Sequence, residues 1–417
     1  MWHYQTTPGD TWDYTATQHI ILAELDIDGE NRSVLMQAPK NGFFYVLDRA
    51  TGELISAEKY APVTWASHVD MVTGRPVETS NADHSKETKM TSPSAIGAHN
   101  WQPMAFNKAA GLVYIPAMEA MMPYSTAKNF IARKGGHWNL GQDGIGMKGG
   151  SLGNVPNAFA EAMVKKMLRG YLIAWDPVTQ QERWRVKHST VWNGGILTTK
   201  SGLVFQGTGD QRFVAYDASS GEILWEAPTG TGIVAPPVTY EIDGEQYIAV
   251  MAGWGGAGGL ALPNIIQSDG TSRMLVYKLG AKAPHPQKAK GFFMAAAPPA
   301  STASSMSVAN GENLYIENCD RCHGANFGRG GVIPDLRYMN AGTHALFDDI
   351  VRGGIFDSIG MVSFSDVLSE EETQDIHNYL IHTANKTWDD QNASGWWHDF
   401  VLWVFELVAG ILVWFMT

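Results

Sequence analysis

The clearest chemical signal in the sequence is a five-residue motif, Cys319-x-x-Cys322-His323, which contains both cysteines of the chain. Two thiols at this spacing can add to the two vinyl groups of haem, and the adjacent histidine then binds the iron. A zinc site would need a second pair of ligands, which no other cysteine supplies. A redox dithiol would not require the histidine. The motif therefore predicts covalently attached haem c.

A sixth iron ligand is expected downstream of this motif. Met361 precedes the last amphipathic segment and lies far enough from His323 to reach the opposite haem face. Met339 is the alternative ligand, with less intervening chain, and packing in the core is the alternative role for Met361. A Met/His ligand pair raises the iron potential and suits an electron acceptor. Arg337 is a candidate partner for a haem propionate through charge-assisted hydrogen bonds.

A second cluster, residues 10–14, contains two aspartates, of which Asp13 stands between the large aromatic side chains of Trp12 and Tyr14. Asp13, desolvated in this way, can act as a general base, although an Asx turn or a cap is the commoner role for an aspartate in such a pattern. Lys40 before Asn41-Gly42 and the pair Asn100-Trp101 are unspecific by themselves. Trp254, set among glycines, suggests a large ring against closely approaching backbone. These residues alone leave the chemistry of the cluster open.

A repeat in the first two thirds of the chain indicates how these segments are positioned. Three aromatic, strand-like runs each end in an aspartate that opens a turn, namely Asp48, Asp176 and Asp217. In the last two copies Trp184 or Trp225 follows at the same interval, and we expect this ring to pack between neighbouring units. Strand repeats of about 40 residues indicate propeller blades. Unrelated hairpins with common turn chemistry are the alternative, and the middle copy, with Gln180 in place of glycine, is the weakest.

Composition divides the chain into four segments. Residues 1–279 are rich in glycine and aromatics and predict the strand region, and residues 280–307 have the composition of an exposed linker. Residues 308–386 show helical periodicity, and residues 387–417 form an apolar tail. The stretch 400–416 is slightly short for a bilayer core, so a membrane anchor and a helix packed on the domain both remain open.

Charge and composition exclude several classes of protein. The 417 residues carry 42 acidic and 30 basic side chains, a formal charge of −12, which argues against nucleic-acid binding. With 44% hydrophobic and 17% charged residues, the chain is neither disordered nor fibrous. Two cysteines exclude a disulfide-built scaffold. The first residues lack the basic and apolar regions of an export signal.

Taken together, these segments resemble the quinohaemoprotein alcohol dehydrogenases, which are periplasmic eight-bladed propellers holding pyrroloquinoline quinone (PQQ) and calcium, with a C-terminal cytochrome c. The resemblance covers residues 1–385 and rests on segments in the family's order, namely residues 7–14, 38–49, 97–101, 192–195, 253–256 and 319–323. It implies an all-β partial propeller of the eight-bladed type followed by a small all-α cytochrome c domain.

The resemblance also implies roles for individual residues. Asp13 matches the family's catalytic base, near the calcium ion, and Lys40 would bond the quinone oxygens. The cofactor pocket would also contain Asn100, Trp101 and Trp254. A primary alcohol would then be oxidised to an aldehyde, with hydride passing to PQQ and electrons to haem c. The final acceptor would be a cytochrome, a copper protein or a quinone.

The chain also departs from the family's pattern. The ring-stacking tryptophan, the adjacent-cysteine disulfide and the other calcium ligands of the family have no counterpart here. Only four or five blades' worth of sequence is present, and an unclosed propeller would leave strand edges unpaired. We therefore expect a C-terminal portion, from a gene fragment or a split subunit, that needs an N-terminal propeller segment as its partner. Since haem c is attached outside the bacterial cytoplasm, the expected location is the periplasm, with membrane association open.

Two other functions remain open at this stage. The first is a haem c electron-carrier subunit whose partial propeller only docks a partner. The second is a non-enzymatic binding propeller with an attached cytochrome. The joint presence of the Asp13, Lys40 and Asn100-Trp101 segments argues against the second.

Overall fold

The structure is a computed structural model that describes residues 1–132, 139–142, 168–255, 271–287, 297–323, 333–392, 400–401, 403–405 and 407–408. Within these residues the strands lie before residue 279 and the helices begin at Ser305.

The strands of the described residues follow the chain in a nearly regular succession. They are β1 (Ile21–Ile27), β2 (Glu30–Gln37), β3 (Phe43–Asp48), β4 (Leu54–Lys59), β5 (Ala66–Asp70), β6 (Arg75–Glu78), β7 (Lys89–Thr91), β8 (Ala105–Asn107), β9 (Leu112–Glu119), β10 (Met122–Tyr124), β11 (Arg169–Asp176), β12 (Gln181–His188), β13 (Ile196–Thr198), β14 (Leu203–Thr208), β15 (Arg212–Asp217), β16 (Ile223–Pro228), β17 (Val238–Ile242), β18 (Glu245–Ala252) and β19 (Arg273–Lys278).

These strands form four successive antiparallel sheets. Sheet A has the order β1-β2-β3-β4, sheet B β12-β11-β9-β8, sheet C β13-β14-β15-β16 and sheet D β17-β18-β19. Two short pairs, β5-β6 and β7-β10, lie outside them. A series of up-and-down sheets is the architecture of propeller blades. The predicted all-β partial propeller is therefore confirmed.

The sheets pack face to face in chain order. The central strands β3, β9, β11 and β15 of sheets A to C are buried almost throughout, so both faces of these three sheets are covered. Three buried clusters join successive sheets: the first contains Val46 and Ile173, the second Leu172 and Val214, and the third Phe213 and Val250. Burial between blades is the main source of stability in such a series.

The repeated aspartates have one structural role. Oδ1 of Asp48, Asp176 and Asp217 in each case accepts hydrogen bonds from the backbone N–H groups two and three residues further on. This is an Asx turn that closes the hairpin. Gln180 has φ +54°, the left-handed conformation that glycine adopts at Gly52 and Gly221 of the other copies. The middle copy is therefore a true member of the repeat.

Trp184 joins sheet B to sheet C, as expected for the repeated tryptophan. Its indole N–H donates to the Ala218 carbonyl at 3.2 Å. A Cβ atom added to Gly221 would lie 2.6 Å from the Trp184 ring, so only glycine fits beneath it. The prediction that this ring packs between neighbouring blades is confirmed.

Trp2 makes the same contacts with sheet A. Its indole N–H donates to the Arg49 carbonyl at 3.1 Å, and its ring covers Gly52, where a Cβ would lie 2.5 Å away. Trp2 thus packs on the Asp48 turn as Trp184 packs on the Asp217 turn. In both cases the ring that covers the turn comes from chain that precedes the sheet bearing that turn.

The helical region contains five helices within the described residues. They are α1 (Ser305–Asn318), α2 (Asp320–His323), α3 (Ala341–Ala345), α4 (Phe347–Val351) and α5 (Glu370–Asn392). Ser369 and Glu372 form a reciprocal capping box at the start of α5, with bonds of 2.8 and 3.2 Å. Helices α1 and α5 pack closely because Gly311 meets the backbone at Asp375 without a side chain. The predicted small all-α domain is confirmed.

Two of the predicted boundaries fall within helices. Helix α1 begins at Ser305, before the predicted end of the linker at residue 307. Helix α5 continues through residue 386 to Asn392, past the boundary expected for the tail. In the part of the chain that the structure describes, no helix is long and apolar enough to cross a membrane. Residues 409–416 of the predicted anchor lie outside the described residues.

Candidate functional site

Asp13 and Lys40 form an ion pair beside sheet A. Nζ of Lys40 donates to Asp13 Oδ2 at 3.0 Å and to the Asp13 carbonyl at 2.9 Å. The Lys40 side chain is 9% exposed, whereas that of Asp13 is 62% exposed. The embedded cation therefore orients a carboxylate that is open to a ligand. Within the described residues, the second carboxylate oxygen has no hydrogen-bond partner.

The backbone around Asp13 is held from both sides. Asp13 has φ +67°, in the left-handed region that few residues other than glycine adopt. Oδ1 of Asp10 accepts from the N–H of Trp12 at 2.9 Å, and the Tyr124 hydroxyl donates to the Trp12 carbonyl at 3.1 Å. The Asx turn that the sequence pattern allowed is made by Asp10, while Asp13 keeps its carboxylate outside the turn.

An aromatic cluster underlies this segment. Trp12 stacks on Tyr14 with ring centroids 5.6 Å apart, and it contacts Trp65 at 4.9 Å. Burial raises the pKa of Tyr124, and the nearby Asp13 and Asp10 carboxylates raise it further. Tyr124 therefore stays a neutral hydrogen-bond donor at physiological pH. Its role was not visible in the sequence, because Tyr124 lies in β10, far along the chain from Trp12.

The Lys40 segment is fixed by the loop that precedes Asn100. Gly97, with φ +84°, lets this loop pass over Lys40, since a Cβ there would lie 2.7 Å from Lys40 Cβ. His99 is fully buried, and its ring nitrogens lie 2.7 and 2.6 Å from the carbonyl oxygens of Ala38 and Gln102. Burial lowers the pKa of His99, and the two hydrogen bonds oppose that effect. His99 therefore ties the loop to the segment between β2 and β3 that carries Lys40.

Asn100 and Trp101 lie at the end of the same loop. The Asn100 side-chain amide donates to the Ile96 carbonyl at 2.8 Å, and its oxygen accepts from the N–H of Trp101. Trp101 is 41% exposed, so its indole ring is available to a ligand. The structure thus brings the Asn100-Trp101 pair next to the Lys40 segment.

Trp254 is buried in a cluster that also contains Trp192 and Met118, with Ile96 packed against it. The indole N–H groups of Trp192 and Trp254 are buried without a hydrogen-bond partner among the described residues. Two unpaired buried donors next to the Asn100 loop fit a site that binds an acceptor-rich ligand. The sequence pattern indicated Trp254 but not Trp192, although Trp192 opens the 192–195 segment.

The cysteine motif lies at the junction of α1 and α2. Cys319 is partly buried and Cys322 is exposed, and both are free thiols. Nδ1 of His323 lies 3.1 Å from the Pro334 carbonyl, a contact that orients the ring as metal-binding histidines require. Burial raises the pKa of Cys319 to about 12, and Asp320 and Cys322 add to the effect. The donor set fits covalent haem with a histidine ligand.

Both candidate sixth ligands lie in the same apolar cluster. Met339 is buried in it, whereas Met361 packs against its edge, as does Cys319. The Arg337 guanidinium forms two-pronged bonds to Asp335, with Nη2 at 2.6 Å and Nε at 3.0 Å. Arg337 thus has a carboxylate partner next to the position predicted for a haem propionate. The choice between Met361 and Met339 stays a prediction.

The described residues contain no group of three or more His, Cys, Asp and Glu side chains that would hold a metal ion. Of the predicted calcium ligands, Asp13 is the one this chain carries, and its unpartnered oxygen is a chemically suitable donor.

Comparisons with known proteins agree with this arrangement. Residues 1–73 and 76–248 match the family described as "Glucose/ethanol/alcohol dehydrogenase, beta-propeller domain". Residues 307–380 match "Cytochrome C oxidase, cbb3-type, subunit III". The two matches cover the sheets and the helical region respectively.

Individual relatives are similar over nearly the whole chain. The quinohemoprotein alcohol dehydrogenase ADH-IIG of Pseudomonas putida is 45% identical over 94% of this chain and 56% of its own length, and that of Comamonas testosteroni is 41% identical over 92% and 53%. The solved structure of the Pseudomonas putida enzyme has a TM-score of 0.83 with 44% identity, covering 93% of this chain and 58% of that one. The chain therefore spans little more than half the length of these relatives.

The match of the first family extends over more than half of the chain, and the cytochrome match follows it in the expected order. The chain belongs to the quinohaemoprotein alcohol dehydrogenases, the family that uses PQQ with a metal ion and haem c.

Proposed function

We propose that this chain takes part in oxidising an alcohol to an aldehyde and passes the electrons to its own haem c. The observation that carries the proposal is the Asp13–Lys40 pair, in which a buried cation holds an exposed carboxylate in a strained backbone segment. Strained backbone and buried charges occur at functional sites more often than elsewhere. The haem motif of the same chain supplies a route for the electrons.

Asp13 is the proposed general base. Its free carboxylate oxygen faces outward and can take the proton of an alcohol hydroxyl within hydrogen-bond reach. Tyr124 and Asp10 keep the adjacent backbone from rotating, so the carboxylate does not have to be reoriented during the reaction. The same oxygen can hold the calcium ion that the family uses.

Lys40, Asn100, Trp101 and Trp254 are proposed to hold the quinone. When bound, PQQ supplies the two-electron acceptor for the substrate. Lys40 offers a cation to negatively charged oxygens, and Asn100 and Trp101 lie on the loop that covers Lys40. The indole N–H groups of Trp254 and Trp192, which have no hydrogen-bond partner among the described residues, add donors next to the Asn100 loop. These residues would position and polarise the quinone, while the redox chemistry belongs to the cofactor.

The haem is proposed to be attached through Cys319 and Cys322, with His323 and Met361 on the iron. The expected acceptor is a cytochrome, a copper protein or a quinone. The alternative function is a haem c electron-carrier subunit whose partial propeller only docks a partner. In this alternative, unlike in alcohol oxidation by the chain, substituting Asp13 would not change the rate of electron transfer to or from the haem.

A further propeller segment is the proposed partner of sheet D. The strand register places Val238, Ile242, Met251 and Met274 on one face of this sheet, and all four are exposed. A contiguous apolar face of this kind marks a contact surface, and it matches the faces that join sheets A to D. The expected partner is therefore the N-terminal propeller segment of the family.

A reconstituted mixture tests the proposal. The chain, matured with haem, is combined with the N-terminal propeller segment of a relative, PQQ and calcium, and a primary alcohol is added. We expect the haem spectrum to change to the reduced form. Asp13→Asn should lower the rate at least about a hundredfold while the haem content stays constant, and Asp10→Asn, which keeps the turn, is the matched control. An unchanged rate in Asp13→Asn would favour the electron-carrier alternative.

The location and the domain limits are also proposals. Because haem c maturation takes place outside the cytoplasm, we place the chain in the periplasm and propose that residues 400–416 contact the membrane. Exposed Phe400 and Trp403 support such a contact. Haem staining of periplasmic and membrane fractions, with and without residues 393–417, tests it. The proposed segments are 1–279, 280–307, 308–386 and 387–417, with the helical segment widened to include the start of α1 at Ser305 and the end of α5 at Asn392.

A further inference from the structure

The loop of residues 355–367, here called the Met361 loop, presents an unusual concentration of apolar side chains to solvent. Ile359 is 77% exposed and Val362 is 58% exposed. Ile355, Phe356 and Val367 are exposed as well. Side chains of this kind cost free energy in water unless a partner covers them, and clusters of them mark interaction sites.

The loop is held in a defined conformation. The N–H of Phe364 donates to the Val351 carbonyl at 2.8 Å, and the Ser363 hydroxyl donates to the Arg352 carbonyl at 2.6 Å. Gly360, with φ +98°, permits the sharp turn beside Met361. The exposed apolar surface is therefore preformed, which lowers the entropic cost of binding.

The same loop touches the predicted haem environment. Met361 and Phe364 pack against the apolar cluster that Cys319 also joins. A partner that covers the loop would therefore approach the haem-binding thiol within a few side chains. Electron exchange needs only a small, transient interface.

Acidic side chains surround the loop. Residues 341–375 contain a single basic side chain other than histidine, Arg352, and it is paired with Asp348 at 3.3 Å. The exposed acidic side chains of this stretch are Asp348, Asp349, Asp357, Asp366, Glu370 and Glu371. An apolar centre with a negative rim attracts a partner whose own apolar patch has a positive rim. The same rim repels the anionic surface of a membrane.

We infer that the Met361 loop is the docking surface for a soluble redox protein whose apolar patch is ringed by lysines. The inference rests on the haem c part of the proposed function and makes no use of alcohol oxidation. One electron leaves ferrous haem iron and reduces one oxidised metal centre of the partner, so no other reactant is required. The acidic rim steers the encounter, and Ile359 and Val362 form the contact.

A stopped-flow experiment without alcohol tests this inference. The haem of the full chain is reduced with dithionite, excess reductant is removed, and the chain is mixed with pseudoazurin, a blue-copper protein with lysines around its apolar patch. Bleaching of the copper–thiolate band reports the second-order rate constant. The double variant Ile359→Ser/Val362→Ser should be about tenfold slower than the parent chain. Its oxidation by ferricyanide, which needs no extended contact, should be unchanged.

Charge is tested separately. Asp357→Asn/Asp366→Asn should lower the rate with pseudoazurin about threefold at low salt and weaken its decline with ionic strength. Val72→Ser and Asp243→Asn, at exposed turns of the strand region, are the matched controls. Equal rates for loop and control variants would overturn the inference. So would an undiminished rate with pseudoazurin whose lysines have been succinylated. A chain that does not reduce its haem with alcohol can still be tested in this way.

Discussion

The haem site and the Asp13–Lys40 site differ in how far apart in sequence their residues lie. The haem motif occupies five consecutive residues at the junction of α1 and α2. The other site combines side chains from four separate segments, around Asp13, Lys40, Asn100 and Trp254, which the sheets bring together. The first site is thus a local property of the chain, while the second depends on the whole fold.

This difference decides how each site responds to damage. A local motif keeps its spacing even when distant packing is weakened. A site assembled from separate segments loses its geometry whenever one supporting contact is lost, such as the His99 bridge to Ala38. We therefore expect substitutions in the sheets to impair the Asp13 site without removing haem, and substitutions in the motif to do the reverse.

The largest effect is expected from Cys319→Ala/Cys322→Ala. Without either thiol no thioether bond can form, so covalent haem should be lost completely. Haem-stained denaturing gels measure the attachment, and circular dichroism monitors the sheets, which should keep their strand signal. Residual covalent haem in this variant would contradict the assignment of the motif.

The next effect is expected from Lys40→Met. Methionine keeps most of the apolar stem but removes the cation that bonds to Oδ2 and to the backbone carbonyl oxygen of Asp13. Alcohol-dependent haem reduction in the reconstituted mixture should fall about a hundredfold, while haem content stays constant. Lys59→Met, whose ammonium group bonds only to the Val63 carbonyl among the described contacts, is the matched control. Equal losses in both variants would contradict a specific role of the Asp13–Lys40 ion pair in haem reduction.

Trp184→Ala tests the packing that assembles the second site. The ring covers Gly221 and bonds to the Ala218 carbonyl, so its loss should destabilise the sheets by about 3 kcal/mol. Urea denaturation followed by tryptophan fluorescence and strand signal measures the change. Leu224→Ala, at an exposed neighbouring position of β16, should cost less than about 0.5 kcal/mol. Haem attachment should be the same in both variants.

The smallest effect is a pH dependence confined to the helical region. Burial, together with the neighbouring His344 at 2.9 Å, lowers the pKa of His377 to about 4. Because the unfolded chain binds this proton at a higher pH than the folded chain, stability should fall as the pH drops from about 6.5 to about 4. Allowing for solvent screening of these half-exposed rings, we expect about 1 kcal/mol, or about 5 °C in Tm.

Thermal unfolding at several pH values, followed at the helical signal, measures this dependence. His377→Gln should flatten the profile between pH 4 and 6.5, whereas His382→Gln, on the same helix α5, should leave it unchanged. A steeper profile in His377→Gln would contradict the direction assigned to the pKa shift.

The sequence predicted the local features of the molecule better than the distant ones. The Asx turns at Asp48, Asp176 and Asp217 and the capping box at Ser369 depend on residues within three positions, so spacing alone indicates them. The haem motif is of the same kind. Asp13 was open to two interpretations from its pattern, and only the resemblance to the family favoured a catalytic role.

Contacts between distant segments could not be predicted in this way. Nothing in the pattern of β10 indicates that Tyr124 bonds to the Trp12 carbonyl, or that Trp192 lies beside Trp254. The pairing of Arg337 with Asp335 also escaped prediction, although both residues are neighbours, because either could have turned towards a haem propionate. Which of two acceptors a side chain such as Arg337 bonds to depends on which acceptor is present when the chain folds.

The position of Trp2 and Trp184 on the turn of the following repeat has a consequence for recombination. The tryptophan that covers a turn does not belong to the sheet that contains the turn. Exchanging one whole sheet would therefore place a foreign indole ring over the glycine of the next sheet. A segment running from one such tryptophan to the next would keep each ring with the glycine that it covers, with its border at Trp184 falling within β12. Gene segments with borders at these tryptophans should therefore be interchangeable among members of the family more readily than whole sheets.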